Sequence, residues 1–529
     1  GGRTNEASGG TSVVGGGFSN TAKTDLATVG GGSRNEATAQ RTTIGGGLNN
    51  AATGDEATVG GGYGNEARGK AATIGGGGKG ADLDAFSPPR NVVYDDYGTI
   101  GGGDGNQAGD QDGAVNAEYA TVSGGDHNTA NADNATISGG TSNTATAINA
   151  TVGGGGENDA TGVRSTVGGG KFNKALDSTT VVSGGENNES RTNGSTVGGG
   201  SLNIADARYA TIAGGNNNLV TGDYGTIAGG APQDPDQDST QNVVYDDYGT
   251  VGGGGDNQAG VSDSDVYATY ATVSGGLSNT ASDQEATVGG GGYNTASGRH
   301  ATIGGGFSNT AGGSTGGINS DRYHTVGGGN SNDATARAAT VGGGESNQVD
   351  GSYGTIPGGR ENRVQADHGF AAGQRAKARN AGAFVWADRT DADFESNQSG
   401  TGSSPTGNNT FHVRATGGIR FVTGLDTNDD PNAGAYLSSG DSTWQTVSAA
   451  SAKHDVRPID PDEVLSGVES LSISRWAYDA NPDVDRMGPM AGEFHDTFGL
   501  GDDPDTIGHV DADGVALAAV QGLSERLHE

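Results

Sequence analysis

The chain has 529 residues, 104 glycines, no cysteine and a net charge of −35. Glycine at this density without a strict three-residue period excludes collagen, and the lack of cysteine excludes disulfide cross-links. Acidic residues outnumber lysine and arginine by 64 to 29. Because there is no basic patch to displace counterions, nucleic acid is not an expected partner. No apolar run approaches the roughly 20 residues of a membrane span, so membrane insertion is not expected either.

A short repeat fills the chain from Val14 to Ile356. Its core is Thr-Val/Ile-Gly followed by more glycine, and the β-branched residue recurs about 21 times with a basic step of 15 residues. An asparagine stands six residues after the β-branched residue, as Asn20 follows Val14, and an alanine stands two residues later. A fixed period this short predicts one supersecondary unit stacked on itself.

Each repeat is predicted to form two short strands joined by turns. In Ala-Thr-Val-Gly, strand alternation places Ala and Val on one face and Thr on the other. Glycine permits positive φ, and asparagine tolerates the left-handed region and bonds its neighbouring backbone, so both are expected at corners. About 22 coils stacked at about 4.8 Å would span roughly 100 Å. Because so narrow a tube encloses little, we expect three tubes to bury Val and Ala stripes against each other.

Residues from about 10 to 380 resemble the head domain of trimeric autotransporter adhesins, through the Val/Ile-Gly pair, the Asn corner and the small residue after it. The resemblance implies an all-β fold over residues 1–379, a left-handed parallel β-roll or β-solenoid that forms a homotrimer. The triple glycine departs from the family pattern and leaves the handedness and the inward face open.

Insertions lengthen the repeat at 81–98, 109–118, 231–249, 260–270 and 311–324. The segment Asn91-Val-Val-Tyr-Asp-Asp-Tyr-Gly98 reappears at 242–249, so a block of about 150 residues is duplicated. Solenoid insertions form outer loops, often at the binding face. Their tyrosines could stack on sugar rings or on a protein receptor, or could pack against the rod; the paired aspartates could bind cations or be solvated. The candidate receptor contacts are Tyr94, Asp95, Asp96, Tyr97, Tyr245, Asp246, Asp247 and Tyr248.

Residues 380–447 change character and predict a β-rich neck that closes the open end of the solenoid. Turn residues separate the apolar segments at Asn408-Asn409, Gly417-Gly418 and Gly434. The predicted strands are Phe384-Val385-Trp386, Phe411-His412-Val413-Arg414, Ile419-Arg420-Phe421-Val422 and the segment around Trp444.

After Val447 the glycine repeats stop, and a small α+β domain is predicted over 448–529. A helix is predicted from Asp460 to about Ser470, because acidic residues in the first turn suit the helix dipole. A strand is predicted from Leu471 to Tyr478 and a second helix up to Phe498. The third helix, from Asp511 to His528, has an apolar stripe of Val515, Leu517, Ala518, Val520, Leu523 and Leu527.

This C-terminal segment resembles the intramolecular chaperone domain of phage tailspikes and endosialidases, the self-cleaving peptidase family S74. The resemblance implies a domain that trimerises, helps a β-rich stalk to fold in register and is then released by a Ser-Lys pair. The matching motifs, in the family's order, are Pro458-Ile459-Asp460, Ile473-Ser-Arg-Trp-Ala-Tyr478, Met487-Gly-Pro-Met-Ala491 and Val510-Asp-Ala-Asp-Gly-Val-Ala-Leu-Ala-Ala-Val-Gln521.

Ser448 and Lys453 keep the spacing of the family's Ser-Lys pair, whereas Ala449 replaces the family's aspartate. A serine hydroxyl needs a base to take its proton, and a lysine serves as that base only when neutral. Lys453 is the only lysine after Lys377. The pair therefore predicts one self-cleavage with Ser448 as nucleophile, and Ser451 is an alternative nucleophile. In the other interpretation, both are linker residues and no enzymatic activity exists.

No cofactor or metal site is predicted. The nine histidines are scattered without metal-ligand spacing, and the glycine strings recur in every coil without the helix and lysine of a phosphate loop. A glycan-cleaving spike would need a carboxylate-lined groove, for which the repeats offer no constellation.

The parts together favour a tail fibre or spike of a virion that attaches to a host surface glycan or glycoprotein as a homotrimer, beside other virion tail proteins. The alternative is a cell-surface or secreted trimeric adhesin built from the same parts. A surface rich in Asp and poor in Lys favours a hypersaline source, since at about 1 M salt the Debye length is roughly 3 Å and self-repulsion is screened. An ordinary acidic extracellular protein is the alternative.

Overall fold

The computed structural model describes residues 1–78, 90–113, 117–231, 241–262, 268–313, 322–397, 407–450 and 453–528. Parts of all five predicted insertion loops lie outside these ranges. The chain divides into two compact units, Gly1–Thr416 and Gly417–Glu529. The first unit is a parallel β-solenoid with 15-residue coils and the second is a small α+β unit, as the sequence predicted.

The Thr-Val/Ile cores form the first parallel sheet of the solenoid. Each residue pairs with its equivalent one coil later, as Thr28 pairs with Thr43 and Val29 with Ile44. The β-branched residue points inward and is buried, and the threonine points outward. The strands of this sheet are Val13–Val14, Thr28–Val29, Thr43–Ile44, Thr58–Val59, Thr73–Ile74, Thr99–Ile100, Thr121–Val122, Thr136–Ile137, Thr151–Val152, Thr166–Val167, Val181–Val182, Thr196–Val197, Thr211–Ile212, Thr226–Ile227, Thr250–Val251, Thr272–Val273, Thr287–Val288, Thr302–Ile303, Thr325–Val326, Thr340–Val341, Thr355–Ile356, Gly359–Arg360, Phe370–Gln374, Phe384–Ala387 and Phe411–Arg414.

A second parallel sheet has 24 strands, and all but the last two of them follow the asparagine of the repeat. Its register also advances by one coil, as Thr21 pairs with Glu36 and Ala22 with Ala37. The strands of this sheet are Glu6–Ala7, Thr21–Ala22, Glu36–Ala37, Ala51–Ala52, Glu66–Ala67, Val92–Val93, Gln107–Ala108, Thr129–Ala130, Thr144–Ala145, Asp159–Ala160, Lys174–Ala175, Glu189–Ser190, Ile204–Ala205, Leu219–Val220, Val243–Val244, Gln258–Ala259, Thr280–Ala281, Thr295–Ala296, Thr310–Ala311, Asp333–Ala334, Gln348–Val349, Arg363–Val364, Ala376–Ala378 and Phe394–Glu395.

The core of each coil is built from small side chains. In one coil it consists of Ala22 from the second sheet, Ala27 from the corner and Val29 from the first sheet, all fully buried. Among the described residues of this unit, no Phe, Tyr or Trp belongs to the buried core. This explains how a chain with 5% aromatic residues folds over such a length.

A column of buried asparagines runs along one corner from Asn20 to Asn362, and its 21 members are at most 1% exposed. The Nδ2 of Asn35 donates to the carbonyl oxygens of Gly31 and Gly47, each at 3.0 Å. Its Oδ1 accepts the backbone N–H of Asn50 at 3.1 Å. Each amide is thereby satisfied within the stack, which removes the cost of burying it.

The third glycine of each triplet is required by close backbone approach. Gly32 has φ +90°, and a Cβ there would lie 2.2 Å from the carbonyl oxygen of Gly47 in the next coil. The left-handed residue at this corner is the one before the asparagine, such as Arg34 with φ 55°. Asn35 itself is not left-handed, so the prediction that asparagine is placed here for that conformation is wrong. The other predicted reason, its hydrogen bonds to the neighbouring backbone, agrees with the structure.

The first part of the predicted neck continues the solenoid. Phe384–Ala387 pairs in parallel with both Phe370–Gln374 and Phe411–Arg414, which extends the first sheet. The rings of Phe370, Phe384 and Phe411 stack at centroid distances of 4.6 and 4.8 Å. The division between the two units therefore falls after Thr416, inside the predicted 380–447 segment.

The second unit begins with an antiparallel sheet of Gly418–Leu425, Pro431–Ser438 and Gln445–Thr446. Gly434, predicted at a turn, lies inside the middle strand opposite Val422 and next to a register shift. A hairpin of Ser474–Tyr478 and Asn481–Gly488 follows; its second strand was not predicted.

Three helices complete the second unit: α1 (Pro461–Ser470), α2 (Ala491–Phe498) and α3 (His509–His528). The side chain of Asp460 accepts the N–H of Asp462 at 3.0 Å and caps α1, as its acidic start predicted. Helix α3 packs on α1 closely enough that a Cβ at Gly522 would lie 2.3 Å from the carbonyl oxygen of Pro461. In the ranges described, no helix combines the length and apolarity needed to cross a membrane.

Candidate functional site

The predicted serine–lysine pair lies between the edge strand Gln445–Thr446 and helix α1. The Nζ of Lys453 donates to the Oγ of Ser448 at 2.8 Å. The backbone N–H of Lys453 also donates to the carbonyl of Ala450 at 3.2 Å. The structure therefore brings the two residues together, whereas Ser451, the alternative nucleophile, lies outside the described residues.

The contact has the geometry of a nucleophile and its base. A separation of 2.6–3.2 Å allows proton transfer from a hydroxyl to an amine. Both side chains are exposed in the single chain, so water reaches each of them. Ala449 supplies no carboxylate at the position where the resemblance implies an aspartate.

Two of the predicted contact tyrosines belong to exposed aromatic columns. Tyr97 is 39% exposed and Tyr248 is 44% exposed, and both occupy the left-handed position just before the small residue that ends the coil. Tyr97 stacks on Tyr119 with a centroid distance of 4.9 Å. Stacking leaves the ring edges and hydroxyls facing solvent, where they are available for contact.

The longer column contains four rings. Tyr248 stacks between Tyr224 at 5.1 Å and Tyr270 at 4.8 Å, and Tyr224 also stacks on Tyr209 at 5.1 Å. Sequence reasoning missed Tyr119, Tyr209, Tyr224 and Tyr270. Their alignment could have been predicted from the repeat, since each of these tyrosines stands one position before the small residue that precedes the Thr-Val/Ile pair.

Tyr94 and Tyr245 behave differently from their exposed neighbours. Both are half-buried. The guanidinium of Arg68 lies over the ring of Tyr94 at 4.9 Å from the centroid. The backbone N–H of Tyr245 donates to the carbonyl of Ala259 at 2.9 Å. Tyr94 therefore packs against the rod, the second of the two possibilities that the sequence left open for the loop tyrosines.

The paired aspartates cap backbone amides at the coil corner. Asp95 Oδ2 accepts the N–H of Asp110 at 2.7 Å, and Asp96 Oδ1 accepts the N–H of Lys70 at 2.7 Å. The duplicated pair repeats this arrangement: Asp246 accepts from Val261 at 2.9 Å and Asp247 from Asp223 at 2.9 Å. These carboxylates therefore hold neighbouring coils together, a role that sequence reasoning did not identify.

An ion-paired cluster lies at the C-terminal coils of the solenoid. Asp388, 15% exposed, accepts the Nε of Arg414 at 3.1 Å. Hydrogen bonds from the hydroxyl and backbone N–H of Thr416 hold the pKa of the Asp388 carboxyl well below its usual range. Within the described ranges, no group of three or more His, Asp or Glu side chains has metal-binding geometry.

No known protein family matches this chain, and no curated protein matches it at a significant level of sequence similarity. The likenesses to autotransporter heads and to tailspike chaperones therefore rest on the motifs and spacings quoted above, together with the solenoid.

Proposed function

We propose that this protein is a trimeric fibre or spike of a virion that attaches to a glycan or glycoprotein on the host surface. The solenoid acts as a stiff spacer that presents the tyrosine columns and the inserted loops. The C-terminal unit assembles the trimer, contacts other tail proteins during assembly and cleaves itself once at Ser448.

The solenoid supports the role of a spacer. Every coil pairs its strands with the coils before and after it, so bending would break rows of hydrogen bonds. With 24 strands in the second sheet and about 4.8 Å per coil, the unit is about 115 Å long. The tyrosines at the left-handed corner position are exposed and stack at about the coil spacing, which forms short contact rows.

The observation that carries the proposal is an unpartnered apolar seam on helix α3. One face of the helix, with Val515, Ala518 and Gly522, is buried. The opposite face leaves Leu517 69% exposed and Leu527 76% exposed. The exposed apolar residues on that face, spaced by seven, three and seven residues, are Val510, Leu517, Val520 and Leu527.

That spacing is the a/d pattern of a coiled coil, in which chains of the same kind bury one seam against another. An exposed row of large apolar side chains marks a surface for association. Three copies of α3 packed along this seam would bring three solenoids into register.

Light scattering after size exclusion, in about 1 M salt to screen self-repulsion, tests the trimer. In the Ser448→Ala background, which retains helix α3, the protein is expected to have three times the mass of one chain. Leu517→Asp/Leu527→Asp in that background is expected to be monomeric, since the paired carboxylates cannot be buried in the seam. Gln521→Asp, an exposed substitution on the same helix, serves as the control in the same background and should remain trimeric. A monomeric Ser448→Ala protein would overturn the proposal.

The serine–lysine contact supports one self-cleavage. The Oγ of Ser448 would attack a neighbouring peptide carbonyl carbon while Lys453 accepts the hydroxyl proton and passes it to the leaving amine nitrogen. Water would then hydrolyse the ester and restore the hydroxyl. Association of chains around this segment would exclude water from the pair and favour a neutral amine.

Intact-mass spectrometry of the purified protein tests the cleavage. Wild type is expected to release a C-terminal fragment that begins at or near Ser448, and Ser448→Ala and Lys453→Arg should remain full length. The same full-length mass in wild type and Ser448→Ala would refute self-cleavage and leave the assembly role in place.

A further inference from the structure

Two columns of stacked tyrosines occupy a backbone position that disfavours bulky side chains. All six residues have φ between 57° and 63°, a left-handed conformation that is uncommon for residues other than glycine and an outlier for a bulky one. Other coils place Glu56, Thr179 or Ala338 at the same position, so the fold does not require a ring there. The reason for the tyrosines therefore lies in their side chains. The first column is Tyr97 and Tyr119, and the second is Tyr209, Tyr224, Tyr248 and Tyr270.

The backbone holds the rings of each column face to face. The N–H of Tyr248 donates to the carbonyl of Asp223 on the preceding coil at 2.8 Å. The N–H of Tyr119 donates in the same way to the carbonyl of Asp96 at 3.1 Å. Neighbouring rings have centroids 4.8–5.1 Å apart and planes within 17° of parallel. The ortho carbons beside each hydroxyl are thereby kept close to the neighbouring phenol, as a reaction between two rings requires.

The columns are open to reagents in solution. The six tyrosines are between 39% and 52% exposed. Stacking covers the ring faces, whereas the ring edges and hydroxyls remain in solvent. A phenol can therefore lose its proton to water, and a ring edge can turn outward because these side chains lie outside the buried core.

Tyrosine is the side chain of the rod that gives up an electron most readily. Cysteine, methionine and tryptophan compete with tyrosine for one-electron oxidants, but the chain has no cysteine, two methionines and three tryptophans. The first of these five residues along the chain is Trp386. An oxidant that meets residues 1–385 is therefore expected to react at tyrosine.

We propose that neighbouring tyrosines of the columns become joined by dityrosine bonds, with hydrogen peroxide and a haem peroxidase as the oxidant. Each phenol gives one electron to the peroxidase and its proton to water, which leaves two tyrosyl radicals. Their ortho carbons form one carbon–carbon bond, and the two ortho hydrogens move to the oxygens and restore both phenols. One molecule of hydrogen peroxide takes up the two electrons and two protons and is reduced to two molecules of water.

Such bonds would tie consecutive coils together covalently in a chain that has no cysteine for disulfides. Each coil contacts only its neighbours, so a local opening is resisted by local contacts alone. A bond between Tyr224 and Tyr248 joins positions 24 residues apart and restricts the unfolded chain as a disulfide does. The inference goes beyond the proposed function, since it needs neither a host receptor nor a trimer.

Treatment of the purified protein with horseradish peroxidase and hydrogen peroxide tests the proposal, in about 1 M NaCl to screen self-repulsion. Cleavage before aspartate places Tyr209, Tyr224 and Tyr248 on three different peptides. Each bond then joins two peptides, which mass spectrometry identifies by the loss of two hydrogen atoms. Wild type is expected to yield peptide pairs that link ring neighbours, and the linked chain should keep the mass of one copy on a denaturing gel.

The column variant keeps every ring and removes three phenols, so that no two tyrosines of the columns remain stacked. It is Tyr97→Phe/Tyr224→Phe/Tyr248→Phe. Phenylalanine preserves the stack but cannot form a phenoxyl radical. Dityrosine, measured by its fluorescence, is expected to fall at least about tenfold, because phenols held in contact react far more often than phenols that must collide.

The matched control also replaces three tyrosines by phenylalanine, but none of them stacks on another tyrosine in the described part of the chain. The guanidinium of Arg68 lies over the ring of Tyr94, and Tyr353 stacks on His368. The dityrosine yield of the control should stay within about twofold of wild type, the range of a surface substitution. The control is Tyr94→Phe/Tyr245→Phe/Tyr353→Phe.

Three results would overturn the proposal: cross-links chiefly between separate chains, an equal loss of dityrosine in both triple variants, or consumption of tyrosine without any linked peptide from the columns. The oligomeric state of the same samples is read separately, by light scattering before oxidation. A monomer that forms the column bonds would count against the proposed trimer alone, and a trimer that forms none would count against this inference alone.

Discussion

Replacing one buried asparagine in the middle of the column should unfold the stack locally. In Asn143→Ala, the carbonyl of Gly139 loses the Nδ2 donor at 3.0 Å, and the backbone N–H of Asn158 loses its Oδ1 acceptor at 3.1 Å. The carbonyl of Gly155 keeps a second donor, the N–H of Thr141 at 2.8 Å. Two backbone groups therefore lose these partners, the buried N–H of Asn158 and the partly buried carbonyl of Gly139.

Each buried group without a partner costs about 1–3 kcal/mol, so the substitution should cost about 2–6 kcal/mol. In a repeat protein each coil contacts only its neighbours, so the loss should remain local. Hydrogen exchange followed by mass spectrometry should show amides near the substitution exchanging roughly a thousandfold faster, the equivalent of about 4 kcal/mol.

Asn330→Ala is the matched control, because this asparagine is exposed and lies at a corner of another coil. Its exchange pattern should match that of wild type. The reasoning about the asparagine column fails if the two variants exchange alike, or if Asn143→Ala loses protection evenly along the whole solenoid.

Three further substitutions test other parts of the fold. Gly32→Ala should cost several kcal/mol in chemical denaturation, because its Cβ would meet a carbonyl at 2.2 Å, whereas Gly31→Ala, where a Cβ meets nothing within 4 Å, should be tolerated. Hydrogen bonds from Thr416 hold the folded-state pKa of Asp388 below its unfolded value. The stabilisation from Asp388 is therefore present above the unfolded pKa and is lost as the pH falls through the folded pKa. In an acid-unfolding titration followed by tryptophan fluorescence, Asp388→Asn should make stability less dependent on pH below about pH 4. Gly522→Ala should separate α1 from α3 and lower the melting temperature of the second unit, a result that calorimetry can check.

The solenoid could be predicted because the β-branched residues recur in the sequence at a basic step of 15 residues. The inward Val29 and outward Thr28 follow from strand alternation, and both positions agree with the structure. The role of Asn35 could be predicted only in part. A left-handed corner and a buried hydrogen-bonding amide have similar sequence preferences, and only the stacking of coils shows that the amide bonds are decisive.

The candidate contacts show where sequence reasoning stops. Asp95 was taken as a loop carboxylate, but its partner is the backbone N–H of Asp110 fifteen residues later, which only the stacked coils bring near.

The helices of the C-terminal unit followed from their sequence signals, including the Asp460 cap. The apolar stripe of α3, read as one face, is divided between two: Val515 is buried and Leu517 is exposed. Amphipathic periodicity cannot assign two apolar faces to different partners when the helix is apolar over much of its circumference.

The duplication has a consequence for the reach of the molecule. Asn91 and Asn242 belong to coils nine strands apart in the second sheet, a distance of about 43 Å at 4.8 Å per coil. Since each turn meets only its neighbours, unequal recombination between such copies would lengthen or shorten the solenoid by whole turns and leave both ends unaltered. The length of the solenoid could thus evolve in discrete steps, independently of the sequences at its two ends.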